Sequence, residues 1–171
     1  MTQPLLTVSV IAPEGTQKVG ARVPIRVEVR NVSAAPVWVV GVLGGSEEGQ
    51  RFPHYRPEIE GPPPATPPEF EGCGNVPPLR MQEFRRLLPG ESFDPTDASG
   101  GASYLPLASF NNFVPGRAGR YRARLVLDMR SDNAEEWLGM LGYPGEAEVL
   151  ERLRQVPRLR VESNVATIEV G

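Results

Sequence analysis

Apolar and polar residues alternate along several short segments of the chain, a period of two that is typical of β-strands with one buried and one solvated face. The first two such segments are LLTVSVIAP, at residues 5–13, and VGARVPIRVEVRN, at 19–31. In the second segment every charged side chain falls on the face opposite to the valines and the isoleucine. The residues predicted to point into the core from these strands are Leu6, Val8, Val10, Val23, Ile25, Val27 and Val29.

Further strands are predicted in the middle of the chain. PVWVVGVL, at 36–43, is almost wholly apolar, which indicates either a central strand covered on both faces or a strand whose Trp38 packs in the core. RYRARLVLDM, at 120–129, alternates cleanly, with arginines on the outer face. The residues predicted to point into the core from it are Tyr121, Ala123, Leu125, Leu127 and Met129. Shorter candidate strands are EFRRLL, at 83–88, and YLPLASF, at 104–110.

The last predicted strand, RLRVESNVATIEV at 158–170, alternates on both sides of an interruption at Ser163 and Asn164. Such an interruption often marks a β-bulge. In total about seven strands, separated by turns rich in glycine and proline, predict an all-β protein folded as a β-sandwich.

Two regions break the alternating pattern. Residues 53–78 hold nine of the 19 prolines, and because proline cannot donate to a β-ladder we expect a long extended loop there. Residues 133–156 predict two short helices separated at 142–145, the first capped by Asp132 or Asn133. We expect these helices to close one end of the sandwich.

Several segments together resemble bacterial immunoglobulin-like β-sandwich modules, including those that precede the catalytic domain of deuterolysin-like metalloproteases. They are the strand at 19–31, LPGES at 88–92, PGRAGRYRARL at 115–125 and the closing ESNVATIEV. The resemblance implies one immunoglobulin-like domain over 1–171, with a Pro-rich insertion at about 53–78 and a helical insertion at about 133–156. In the G-x-Y turn before the 120–129 strand, Tyr121 is expected to bury its ring and return its hydroxyl to the backbone, as a tyrosine corner does.

Charge and composition exclude several classes of partner and location. A net charge of −3 over 171 residues points to neither nucleic acid nor an anionic membrane surface. No apolar run is long enough to span a bilayer, and the N-terminal residues do not form a signal peptide. We therefore expect a cytoplasmic protein without a membrane span, and its oligomeric state stays open.

The residues that usually carry catalysis are sparse. The H-E-x-x-H motif of the metalloproteases is absent because the chain has one histidine, His54, which is followed by Tyr55. There is no G-x-S-x-G, Walker or Rossmann pattern, so we predict no enzyme, no catalytic residue, no metal and no cofactor. The acidic pairs Asp94/Asp97 and Asp128/Asp132 fit hydrogen-bonded turns, with an inter-strand calcium site as the alternative.

Cys73, the only cysteine, lies in EGCGNVPPL between two glycines. Two main interpretations stay open: a small buried side chain that holds the end of the loop, or an accessible thiol for a partner, a lipid or another thiol. A nucleophilic role would require His54 as its base.

RFPHYRP, at 51–57, overlaps the start of the Pro-rich region, and its aromatic and arginine residues are the types that dominate protein interfaces. We therefore predict a non-catalytic accessory or interaction module that presents residues 51–78 to a protein partner. The alternatives are an inhibitor of a protease or other enzyme, and a structural or self-assembling subunit. The candidate partner-binding residues are Phe52, His54, Tyr55, Arg56, Phe70 and Cys73.

Overall fold

The computed structural model describes residues 2–63, 76–97 and 106–171 and shows a mainly-β fold. Three short helices, α1 (Ala108–Asn111), α2 (Glu135–Leu138) and α3 (Glu146–Leu153), and a 3-10 turn at Met81–Glu83 accompany nine strands in these ranges. The strands are β1 (Leu6–Ile11), β2 (Arg26–Asn31), β3 (Val37–Val40), β4 (His54–Glu60), β5 (Phe84–Leu87), β6 (Ser92–Phe93), β7 (Gly119–Asp128), β8 (Arg160–Glu162) and β9 (Ala166–Val170).

The strands form three hydrogen-bonded sheets, and every pairing between named strands is antiparallel. One sheet has the order β1-β2-β6, and a second consists of β3 and β5. In the third, β7 lies between β4 on one side and both β8 and β9 on the other. The long strand β7 therefore organises the sheet that carries most of the residues discussed below.

The core contains the residues that the alternating pattern predicted. Leu6, Val8 and Val10 of β1 are buried, and in the register of β1 with β2 Val8 lies opposite the buried Val29. The predicted strand at 19–31 is shorter in the structure and begins at Arg26, although the residues before it still fill the core. The confirmed core positions are Leu6, Val8, Val10, Val23, Ile25, Val27, Val29, Tyr121, Ala123, Leu125, Leu127 and Met129.

The start of β7 is shaped as expected around Tyr121. Its ring is fully buried, and its hydroxyl donates to the carbonyl of Arg117 at 3.0 Å. Gly119 has a φ of +145°, and a Cβ there would lie 2.6 Å from Pro62 Cγ. Glycine is therefore required at this turn for both backbone conformation and space.

The interruption at Ser163 and Asn164 is confirmed, because these residues separate β8 from β9 while both strands continue along β7. Ser163 replaces the missing ladder residue: its N–H donates to Leu125 O, and its Oγ accepts from Leu125 N, each at 2.9 Å. The Asn164 side chain bonds instead to Val10 of β1. This short segment thus joins the β7 sheet to the β1 sheet.

The Pro-rich loop begins later than predicted, because residues 54–60 form β4. The prediction of a continuous loop over 53–78 was wrong for these residues. Within the described residues β4 pairs with β7 alone, and Tyr55 N donates to Ser46 O on the side away from β7. Strand alternation places Pro57 on that same outer side, where no ladder donor is needed.

Two other strand predictions are corrected. The described end of 104–110 contains α1 rather than a strand, because the carboxylate of Glu47 accepts the N–H groups of Ala108 and Ser109 at 2.9 and 3.2 Å. The strand within 36–43 is not central: in the described part of the chain β3 pairs only with β5. The alternative fits better, because Trp38 is half-buried and packs against the core, with the Arg152 guanidinium 3.8 Å from the ring centroid.

The two predicted helices at 133–156 are present as α2 and α3. Asn133 caps the first, since its Oδ1 accepts the N–H of Glu135 at 3.1 Å. Both helices insert apolar side chains into the core, namely Trp137, Leu138, Val149 and Leu153.

Candidate partner-binding surface

Tyr55 belongs to the core rather than to the surface. Its side chain is fully buried, and its hydroxyl donates to Val40 O at 2.6 Å, which joins β4 to the end of β3. Burial raises the pKa of this hydroxyl well above its usual range. Tyr55 therefore supports the candidate surface from below and has no area of its own to offer a partner.

Phe52 and His54 form an aromatic cluster with Trp137 at the start of β4. The Phe52 and His54 rings stack at 3.8 Å between centroids, and Phe52 lies 5.8 Å from Trp137. Phe52 N also donates to Glu136 O at 2.8 Å. The structure thus brings two of the predicted residues together and fixes them to α2, with Phe52 partly exposed and His54 buried.

The surroundings of His54 favour its neutral form. Its Nδ1 lies 3.1 Å from Nη2 of Arg56, and because a guanidinium only donates, this ring nitrogen is the acceptor. Burial lowers the pKa of His54, and the charge of Arg56 lowers it further, against the opposing influence of Asp128 and Glu136.

Arg51 connects three distant parts of the chain, although it is only 2% exposed. Its guanidinium donates to the carbonyls of Pro77 and Trp137. It also contacts Gly139, where a Cβ would lie 2.8 Å from both Arg51 Nη1 and Val76 Cγ1. Arg51 therefore fixes the position at which the chain returns from the Pro-rich segment.

That return is reinforced by two further bonds. Leu79 N donates to Leu138 O at 3.0 Å, and the hydroxyl of Tyr143 donates to Leu79 O at 2.6 Å. Just beyond Leu138, the side chains of Met140 and Leu141 are 51% and 56% exposed. Two large apolar residues are thus neighbours on the surface next to the returning chain.

The departing end of the Pro-rich segment is equally fixed. Gly61 packs against the Tyr121 ring so closely that a Cβ would lie 2.3 Å from Tyr121 Cδ1, and Pro62 packs against Gly119. The chain between these two ends includes Phe70 and Cys73, which lie outside the described residues. Their predicted roles stay predictions.

Charged side chains cover the outer face of the β4–β7 sheet. Arg124 pairs with Glu58, and Arg120 with Glu169 at 2.6 Å. The Arg124–Glu58 pair borders a depression of about 180 Å³. The depression is lined by Glu58, Glu60, Arg122, Ala123, Arg124 and Val165.

The acidic pairs are explained by turns. Asp94 Oδ1 accepts Thr96 N at 2.8 Å and Thr96 Oγ1 at 2.6 Å, and Asp128 likewise accepts Arg130 N at 3.0 Å. Bonding to Arg130 lowers the pKa of Asp128. Among the described residues no group of three or more histidine, cysteine or acidic side chains is arranged to hold a metal ion.

The main residue that the sequence did not single out is Arg51. Its partners are backbone carbonyls 26 and 86 residues away, so no local pattern signals them. The sequence also gave no sign of the bonds between Asn164 and Val10, because these residues are 154 positions apart.

Comparison of the chain with protein-family models, with curated proteins and with solved structures finds no match. No helix in the described ranges has the length and apolar character needed to cross a membrane.

Proposed function

We propose that this protein is a non-catalytic interaction module with an immunoglobulin-like β-sandwich, which presents the Pro-rich region within 51–78 to a protein partner. The observation that supports it is the anchoring of both ends of this region. Gly61 is packed under Tyr121 at one end, and Pro77 is bound by the buried Arg51 at the other. A chain with fixed ends and many prolines loses less conformational entropy on binding.

The antiparallel pairing of the named strands and the Tyr121 corner support the immunoglobulin-like arrangement. The proposed contact surface consists of the Pro-rich segment, the partly exposed ring of Phe52, and the exposed pair Met140 and Leu141 beside its returning end. Aromatic residues and methionine are enriched in protein interfaces.

The test is affinity capture with the intact chain and with a variant in which residues 64–75 are replaced by a Gly/Ser segment of equal length. The replacement leaves β4 and both anchors intact, so its fold should be preserved. As a control, the exposed residues 14–16, which precede the bridge of Gln17 to Val170, are replaced by Gly/Ser in the same way. Both variants must first show the cooperative melt of the intact chain.

We expect a partner that binds the intact chain and the control but not the 64–75 variant. If the partner binds all three equally, the 64–75 segment is not the binding site and the proposal is wrong. If the captured partner is a hydrolase whose rate falls on binding, the inhibitor alternative describes the module better.

A further inference from the structure

The edge of β1 is covered by a side chain instead of a strand. In the described part of the chain β1 pairs with β2 alone, and the N–H and C=O of Val10 point away from β2. Val10 N donates to Asn164 Oδ1 at 2.8 Å, and Asn164 Nδ2 donates to Val10 O at 3.0 Å. A single amide group thus makes both bonds that a residue of a neighbouring strand would make.

The segment beneath this cap has the composition of a strand that pairs readily. Residues 5–12, LLTVSVIA, contain no charge and no proline, and they are rich in β-branched residues. Leu5 and Ile11, on its outer face, are 39% and 47% exposed. Natural proteins protect edge strands with charges, prolines or bulges, and β1 carries no charge or proline of its own.

The backbone before Asn164 is fixed, whereas the Asn164 side chain is exposed to solvent. Ser163, the residue before it, is fixed to β7 by its two bonds to Leu125. Asn164 itself is exposed, so water competes for both of its bonds to Val10. Loss of the two bonds of Asn164 therefore leaves the bonds between Ser163 and β7 in place.

We propose that Asn164 is a removable cap that prevents β1 from pairing with β1 of a second copy of this chain. When a strand pairs antiparallel with its own copy, a two-fold axis relates the two chains and the same residues meet on both sides. A strand without charged residues therefore brings no like charges together in such a pair. Opening the cap extends the β1-β2-β6 sheet across that axis. This proposal stands independently of the function proposed for the Pro-rich segment.

The test measures self-association of Asn164→Ala by sedimentation velocity over a concentration series. We expect the concentration of half-association to fall by at least about tenfold, since the loss of two hydrogen bonds frees the edge. Asn112→Ala, at an exposed asparagine after α1, is the matched control and should behave as the wild type. If Asn164→Ala loses its cooperative melt, Asn164→Ser takes its place as a smaller change.

A second substitution identifies the strand involved. Thr7 lies opposite Arg30 on the outer face of the sheet, so Thr7→Glu is tolerated within one copy but places like charges together when two β1 strands pair. Asn164→Ala/Thr7→Glu should therefore return to the wild-type state of association. Equal association with and without Thr7→Glu would place the contact elsewhere and overturn the proposal.

The amide of Val10 gives an independent readout by hydrogen exchange. It should exchange slowly in the wild type, faster in dilute Asn164→Ala, and slowly again when that variant associates. A folded Asn164→Ala that stays monomeric at every concentration would show that the cap has no such role.

Discussion

Two of the edge strands, β1 and β4, are protected in opposite ways. β4 carries its protection in its own sequence, with Pro57 on the outer side and Arg56, Glu58 and Glu60 along the strand. It is also fixed at its start, where Tyr55 bonds to Val40 and the preceding Arg51 bonds to two carbonyls. β1 has neither feature and depends on the side chain of Asn164. The residues that protect β4 thus belong to the strand or directly precede it, whereas β1 depends on a residue 154 positions away in the chain.

The largest effect is expected from Arg51→Met, which tests how the start of β4 is stabilised. It leaves the buried carbonyl of Trp137 without its donor and also removes the bond to the carbonyl of Pro77, so we expect a loss of about 3 kcal/mol in the free energy of unfolding. Urea denaturation measures this loss. Arg154→Met, at an exposed arginine, should change stability by less than about 0.5 kcal/mol. Equal effects of the two substitutions would show that Arg51 does not secure the start of β4.

A smaller effect is expected from Pro57→Val, which gives the outer side of β4 a backbone donor. Because the charges of Arg56, Glu58 and Glu60 remain, we expect self-association to increase less than it does in Asn164→Ala. Sedimentation velocity of both variants at matched concentrations gives the comparison. If Pro57→Val associates more strongly than Asn164→Ala, β4 rather than β1 is the more vulnerable edge.

The smallest effect concerns pH. Because the pKa of His54 is lowered from its ordinary 6.5, the folded protein favours the neutral ring. The unfolded chain then binds more protons, so this contribution to stability is present above pH 6.5 and is lost as the pH falls through and below that value. His54→Phe keeps the ring stack but should remove this part of the pH dependence.

The chain has one histidine, so a single ring resonance in NMR reports its titration directly. A midpoint at or above 6.5 would contradict the predicted shift. Urea denaturation of wild type and His54→Phe at pH 7.5 and 5 then measures its effect on stability.

Features of the fold that depend on residues close together in the sequence were predicted, whereas features that depend on distant residues were not. The alternation in β1, β2 and β7 reflects one buried face, and it identified their core residues correctly. The Tyr121 corner was predictable because its acceptor, Arg117 O, is four residues away. β4 was missed because its proline indicates a loop unless the strand is known to lie at an edge. The helix α1 was missed because Glu47, which accepts its first N–H groups, is 61 residues away.

At the candidate surface, too, the features that depend on distant residues were not predicted. The residue types in RFPHYRP marked a real cluster, since Phe52 and His54 stack together, but they did not show that Tyr55 is fully buried. That distinction depends on Val40 and Trp137, which the sequence places far from the segment.

The separation of Val10 from its cap has a consequence for biosynthesis. A ribosome makes the chain from its N-terminus, so β1 is complete long before Asn164, which follows Val10 by 154 residues. At typical translation rates that interval is roughly 8 to 30 s. Throughout it the nascent strand is uncovered, and neighbouring ribosomes on one messenger hold identical copies close together. The β1–β1 pairing proposed above would therefore be favoured during crowded translation.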